Sequence, residues 1–205
     1  MLLLVSGASK TVRKHANSKH LGCLLTPQNG NTVDSFGGLP WAADNGCFNG
    51  FNPVAFVRML EKIRDSSPIF IATPDVVAEA AATLELFMVW APVIRWYEFP
   101  VALVLQNGQE FLPVPWDQVN AVFIGGDTTW KLGPAARRLV HEARQRGKWV
   151  HMGRVNSLVR LGYARDIGCQ SVDGSGYSMF PDTNIPEALR FLEAEQTVLE
   201  FGEVV

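Results

Sequence analysis

The sequence predicts an α/β fold, a compact (β/α)8 TIM-like barrel. Short apolar, β-branched runs recur along the chain, and each ends in polar or glycine-rich residues. That is the pattern of parallel strands buried on both faces. Helix-like segments separate many of these runs, and eight runs are the number that closes a barrel. With 205 residues the chain lies near the lower size limit for that fold. An open doubly wound parallel sheet is the second arrangement that the same alternation allows.

The eight runs are Leu2–Val5, Leu21–Leu25, Trp41–Ala43, Ile69–Ala72, Val101–Leu105, Ala121–Ile124, Trp149–Met152 and Cys169–Val172. The segment Gln28–Leu39, rich in Asn, Gly, Ser and Asp, reads as a long loop. Pro53–Asp65 is predicted helical: Val54, Val57, Leu60 and Ile63 recur at helical spacing, Asn52 can cap and Pro53 suits the first position. Ala78–Val89 is an alanine-rich helix. Pro134–Arg146 carries Leu139, Val140 and Ala143 and stops at Gly147. Asn156–Ile167 begins with a candidate Asn cap, and Ile185–Glu195 is a C-terminal helix. Val198–Val205 is expected as a small extra strand or a frayed tail. One catalytic barrel domain over residues 1–205 accounts for the whole pattern, with no repeat and no low-complexity segment.

With 47% hydrophobic residues the chain can bury a substantial core. Charged residues make up 19% and the formal net charge is −2, so bulk charge does not point to nucleic acid, although a local basic stripe is compatible with it. The three cysteines, Cys23, Cys47 and Cys169, are isolated. They give neither a zinc knuckle nor a disulfide framework, and read as reduced thiols of a cytoplasmic protein. The opening Met1-Leu-Leu-Leu-Val-Ser-Gly7 run is too short, and lacks the basic leader, for a signal peptide. The apolar stretch Leu84–Val93 is interrupted by Pro92 and is too short to span a bilayer, so no membrane partner is expected.

Chemistry is concentrated at the ends of the runs. Three aspartates stand there, in Trp41-Ala-Ala-Asp44-Asn-Gly46, Ile69-Phe-Ile-Ala-Thr-Pro-Asp75 and Ser171-Val-Asp173-Gly174. An aspartate at the end of a buried strand is costly to a core and well placed for chemistry. In barrels and open parallel sheets, ligands bind beyond the carboxyl ends of the strands. Gln106-Asn-Gly108, Gly125-Gly126-Asp127 and Met152-Gly153-Arg154 occupy the same position. Carboxylates, a carboxamide, glycine amides, a cation and a thioether suit a planar polar ligand such as a nucleobase.

The series Asp44-Asn-Gly-Cys-Phe48, Pro74-Asp75, Leu105-Gln-Asn-Gly108, Ile124-Gly-Gly126, His151-Met-Gly153 and Ser171-Val-Asp-Gly174 resembles the tRNA-guanine transglycosylase superfamily. Gly125-Gly-Asp-Thr-Thr-Trp-Lys131 and His151-Met-Gly-Arg-Val-Asn-Ser157 make it most similar to the DNA-acting branch, the phage and bacterial 7-deazaguanine DNA transglycosylases. The resemblance runs from about Ala43 to Gly174. Each motif alone is weak, and specificity comes from six motifs in the family's order. It implies exchange of guanine in DNA for a 7-deazaguanine such as 7-cyano-7-deazaguanine (preQ0), through a covalent aspartyl-glycosyl intermediate. It also implies a cytoplasmic setting, in which a phage enzyme would act in the host cytoplasm to mark phage DNA against restriction.

By the same resemblance, Asp173 is the nucleophile and Asp44 the general acid/base. Asp75 reads the guanine edge, Gln106 donates to the base carbonyl, and a backbone amide at Gly125 or Gly126 donates beside it. Phe48 and Met152 pack on the two faces of the base. Asn45 and Gly46 serve the turn. Lys131 and Arg154 are candidates for DNA phosphates, the sequence-independent part of binding. Plainer readings stand beside these: Asp173 as a loop cap, Asp44 in an Asx-turn, Asp75 as a helix N-cap, Phe48 and Met152 as core residues, Gly125-Gly126 as a tight turn and Lys131 as solvated charge. His151 could bond a phosphate or the loop, or sit in the core behind the site. Cys47 replaces a glycine usual in the tRNA-acting members and is not read as catalytic.

The chain departs from the tRNA-acting enzymes in lacking their zinc site of three cysteines and a histidine, so no zinc and no other cofactor is expected beyond the base substrate. Their tRNA-binding accessory domains are likewise expected to be absent. At net charge −2, a narrow basic stripe, a homo-oligomer or an accessory DNA-binding partner would have to assist. The same exchange on tRNA, a non-catalytic guanine- or nucleotide-binding barrel, and a phosphosugar-binding barrel remain as alternatives.

Overall fold

The computed structural model describes residues 1–28 and 30–201. Eight parallel strands form a closed barrel in chain order: β1 (Leu2–Ser6), β2 (Leu21–Leu25), β3 (Trp41–Ala43), β4 (Ile71–Ala72), β5 (Val101–Leu105), β6 (Ala121–Ile124), β7 (Trp149–Met152) and β8 (Ser171–Asp173). Closure comes from β1 pairing in parallel with β8, with Leu4 opposite Asp173. The (β/α)8 prediction therefore holds and the open sheet does not. Five of the predicted runs coincide with strands at both ends. The fourth is trimmed to two residues because Ile69 and Phe70 precede its ladder.

Outside the barrel lie α1 (Lys10–Lys14), α2 (Pro53–Lys62), α3 (Ala80–Trp96), α4 (Thr128–Lys131), α5 (Pro134–Gln145), α6 (Leu158–Asp166), α7 (Ser175–Met179) and α8 (Pro181–Phe201). Asn52 caps α2 through Ala55 N at 3.0 Å, as its sequence suggests. Ser157, not Asn156, caps α6, and Asn156 Oδ1 instead accepts from Gly176 N at 2.9 Å. α3 runs through Pro92 instead of stopping near Val89. Its buried face of Thr83, Phe87, Ala91 and Ile94 packs across the proline, outweighing the lost backbone bond. The Gln28–Leu39 stretch contains a short 3₁₀ turn at Val33–Phe36. Of Val198–Val205, the backbone to Phe201 continues α8, and the remainder lies outside the described residues.

Side-chain alternation divides each strand between two cores. The larger core, including Leu3, Leu21, Phe87, Ile94, Val122 and Val140, lies between barrel and helices. The smaller one fills the barrel with Leu4, Leu24, Ala42, Phe70, Ala72, Ala102, Val104, Ala121 and Phe123. Four alanines in that set leave room for bulky rings in a narrow barrel. Gly22 continues the economy of space, since a Cβ there would lie 2.6 Å from Pro40 O and 2.7 Å from Leu4 Cδ2. Among the described residues, no helix is long and apolar enough to cross a membrane.

Candidate functional site

The period of two that fills the barrel also builds its mouth. Two residues beyond the interior positions Ala42, Val104, Phe123, His151 and Ser171 come Asp44, Gln106, Gly125, Gly153 and Asp173. All five line one cavity of about 310 Å³ at the carboxyl ends of the strands, together with Asn45, Phe48, Asp75 and Arg154. Leu24, Val104 and Phe123 form its apolar floor, while Ser6, Thr26, Asn156 and Ser175 add polar groups. The three strand-end aspartates thus meet in one place.

None of the three acts as a helix cap. The N-caps of α3 and α7 are Glu79 and Gly174. The Asx-turn at Asp44-Asn45-Gly46 belongs to Asn45, whose Oδ1 accepts from Cys47 N at 2.7 Å. Asp44 accepts from backbone amides of its own turn, Asn45 N at 2.8 Å and Gly46 N. Burial raises its carboxyl from 3.8 to about 7, and the charge of Asp173 adds to the rise. Near neutrality it can therefore both give and take a proton, as a general acid/base must.

Asp75 is the most constrained of the three. Asn45 Nδ2 donates to its Oδ1 at 2.8 Å, and Gln106 Nε2 donates to its Oδ2 at 2.6 Å. Asn45 is itself buried and also donates to Thr73 O at 2.7 Å. It thus anchors the acidic loop, a role beyond the turn expected of it. A carboxylate has about four acceptor directions, so a ligand's donor pair can still engage both oxygens. Burial raises the Asp75 carboxyl, opposed by the Asn45 and Gln106 bonds. Because both partners are donors, their geometry favours the carboxylate.

Gln106 Oε1 accepts from Gly126 N at 2.7 Å and Ala78 N at 2.9 Å, which fixes the amide's orientation. One Nε2 hydrogen goes to Asp75, and the second remains for a ligand acceptor. Gly125 N is committed to Leu105 O at 3.0 Å. The expectation that a Gly125 or Gly126 amide would donate to a base is therefore corrected: both hold protein groups. Glycine at 125 instead makes room for Gln106, whose Nε2 would lie 2.6 Å from an added Cβ.

Three further expectations are sorted by exposure. Phe48 is 71% exposed, so it is a mouth residue and not core. The Arg154 guanidinium sits 5.8 Å from its ring centroid and donates to Gly126 O. Arg154 adopts φ +59°, an uncommon backbone conformation that places it across the mouth. Met152 is fully buried in the layer between barrel and helices and does not line the cavity, so its packing on a base is corrected. It shares an outward strand register with Val150, and Phe123 supplies the apolar surface inside. Lys131 is likewise corrected as a phosphate-binding surface residue. It is 3% exposed, with Nζ donating to Gly153 O at 2.6 Å, and burial lowers it to about 7.

Cys47 Sγ accepts from Asp75 N at 3.3 Å, and burial pushes its thiol up to about 12. It is therefore no thiolate nucleophile at neutral pH. Among the described residues, no group of three or more His, Cys, Asp or Glu side chains could hold a metal ion. Ser6 and Thr26, which the sequence does not single out, also line the cavity, and the strand-end signal that marks the aspartates applies equally to β1 and β2.

No family model matches the chain, and no curated protein matches it. A solved structure, the BexX/CysO complex of Amycolatopsis orientalis, contains a similar chain. The two are 15% identical, the match covers 99% of this chain and 91% of that one, and the TM-score is 0.56. Likeness at that identity concerns the fold alone.

Proposed function

We propose that this cavity exchanges guanine in DNA for a 7-deazaguanine such as preQ0. The observation that carries the reading is the division of labour among three convergent carboxyls: Asp44 titrates near neutrality, Asp75 has two oxygens turned to donors, and Asp173 faces the same cavity. Asp173 attacks the anomeric carbon of a deoxyguanosine, and the carbon–nitrogen bond to guanine breaks. The bonding pair leaves with the base, which takes the proton of Asp44. The incoming 7-deazaguanine gives its ring proton to the Asp44 carboxylate. Its nitrogen then displaces Asp173 and restores the starting enzyme. This is retaining glycoside chemistry with a base as leaving group.

Asp75 would take the guanine ring imino and exocyclic amine together, a donor pair that adenine and the pyrimidines do not present on one edge. Asp75→Ala is expected to weaken binding of guanine or preQ0 by about 100-fold, since removing it also strands the Asn45 and Gln106 donors. Calorimetric titration with each base measures this, and unchanged affinity would remove Asp75 from the specificity argument. Phe48 offers an exposed ring on which an extruded base can stack. Arg154 is the cation best placed for a phosphate.

Mass spectrometry of nucleosides from DNA incubated with the protein and preQ0 tests the function. The expected product is deoxy-preQ0 nucleoside, with release of one guanine for each base incorporated. The same assay on tRNA separates the alternative polynucleotide. Reversible guanine binding without base release would instead identify a binding barrel. The phosphosugar reading is disfavoured because the Gly125 and Gly126 amides already have protein acceptors.

A further inference from the structure

Behind Asp173 a chain of polar side chains runs down the inside of the barrel. His151 on β7 is fully buried, with the rings of Phe123 and Phe70 at centroid distances of 4.4 and 5.3 Å. An imidazole in such surroundings is costly unless both nitrogens are bonded. Here Nδ1 lies 2.9 Å from Ser171 Oγ, and Nε2 lies 3.0 Å from Asp173 Oδ1. Ser171 Oγ is also 2.8 Å from Trp149 Nε1.

The direction of the chain follows from its donors. An indole nitrogen only donates, so Ser171 accepts from Trp149. The single hydroxyl hydrogen of Ser171 can then pass to His151 Nδ1. With Nδ1 accepting, a neutral imidazole carries its hydrogen on Nε2 and presents it to Asp173. Every link points toward the carboxylate. A carboxylate favours such a donor and a protonated carboxyl does not. Among the described residues, the donors to Asp44, which lines the same cavity, are the backbone amides of Asn45 and Gly46.

We propose that His151 is a positioning residue: its Nε2–H, held in that tautomer by Ser171 and Trp149, fixes Asp173 Oδ1 and so sets the orientation of the carboxylate in the cavity. Oδ2 is left as the attacking oxygen. The catalytic half of this statement rests on the transglycosylase reading, whereas the tautomer does not. Among the described residues, the other titratable or charged groups around Asp44 and Asp173 include Cys47 after β3, Asp75 after β4, Lys131 on α4, Arg154 after β7 and Tyr177 on α7.

The test combines spectroscopy with kinetics. In wild-type protein at neutral pH, long-range ¹H–¹⁵N spectra are expected to show His151 as the neutral Nε2–H tautomer. In Ser171→Ala the single-tautomer pattern should be lost. For base exchange, His151→Leu should lower kcat by about 100-fold, the order of effect of a misplaced reacting group. KM for the base should stay within about threefold. His151→Gln, which retains a side-chain donor, should recover at least about tenfold of the loss. A wild-type Nδ1–H tautomer, or a His151→Leu kcat within about twofold of wild type, overturns the proposal. If His151→Leu does not fold, the tautomer spectra of wild type and Ser171→Ala decide. If wild-type protein exchanges no base, the functional reading fails, and the same spectra still support or overturn the positioning of Asp173.

Discussion

Replacing Asp173 by asparagine is expected to lower base exchange by about 10⁴-fold or more while leaving the barrel folded. The amide cannot become the glycosyl ester on which the two-step exchange depends. The local structure can survive, because asparagine retains an oxygen where His151 Nε2 meets Oδ1 at 3.0 Å. The backbone bond from Val155 N to the residue 173 carbonyl, at 2.6 Å, is untouched. Labelled-guanine incorporation measures the exchange, and a thermal melt reports the fold. In wild type, denaturation during turnover should trap a protein–DNA adduct that Asp173→Asn never forms. Activity within about tenfold of wild type in a folded Asp173→Asn protein would remove the nucleophile assignment.

The same variant should also change Asp44. The charge of Asp173 is the second cause of the raised Asp44 carboxyl, after burial. Neutralising residue 173 therefore lowers the Asp44 titration toward its ordinary range without reaching it. The pH–stability profile of Asp173→Asn should thus show the Asp44 transition at lower pH than in wild type.

The barrel was legible because a strand buried on both faces leaves a continuous apolar run, and a closed barrel needs such strands at every position. The three aspartates were legible for the related reason that a carboxylate breaks such a run only where the strand leaves the core. What could not be read was parity. Met152 and Gly153 adjoin in sequence, yet only Gly153 faces the cavity, because Met152 shares the outward register of Val150. Lys131 looked like surface charge because a four-residue helix leaves too little periodicity to show which side is buried. The Gly125-Gly126 amides looked available because their acceptors, Leu105 O and Gln106 Oε1, belong to a neighbouring strand and its end. The sequence leaves His151 a phosphate, the loop or a place in the core behind the site, and its bond to Asp173 follows only from the pairing of β7 with β8.

Asp44→Asn should make the protein more stable at alkaline pH while impairing exchange. In the folded chain the Asp44 carboxyl titrates near 7, against 3.8 ordinarily. Below 3.8 both folded and unfolded chains hold the proton, and Asp44 imposes no difference. Between 3.8 and about 7 the folded chain keeps a proton that the unfolded chain releases, so stability falls as pH rises. Above that window the cost of a buried charge beside Asp173 is complete, at roughly 2–4 kcal/mol. Asparagine removes the charge and can still accept from Asn45 N, the 2.8 Å bond that orders the turn. Its melting temperature should therefore exceed wild type by roughly 5–15 °C near pH 8.5 and converge with it toward pH 4. Exchange should fall by about 10²–10⁴-fold, the usual contribution of a proton-transfer group. A stability difference that does not change with pH would show that Asp44 is not the group titrating near neutrality. Equal activity would separate its burial from the chemistry. Gain in stability with loss of exchange is the combination expected when a fold tolerates an unfavourable carboxylate for the reaction that carboxylate performs.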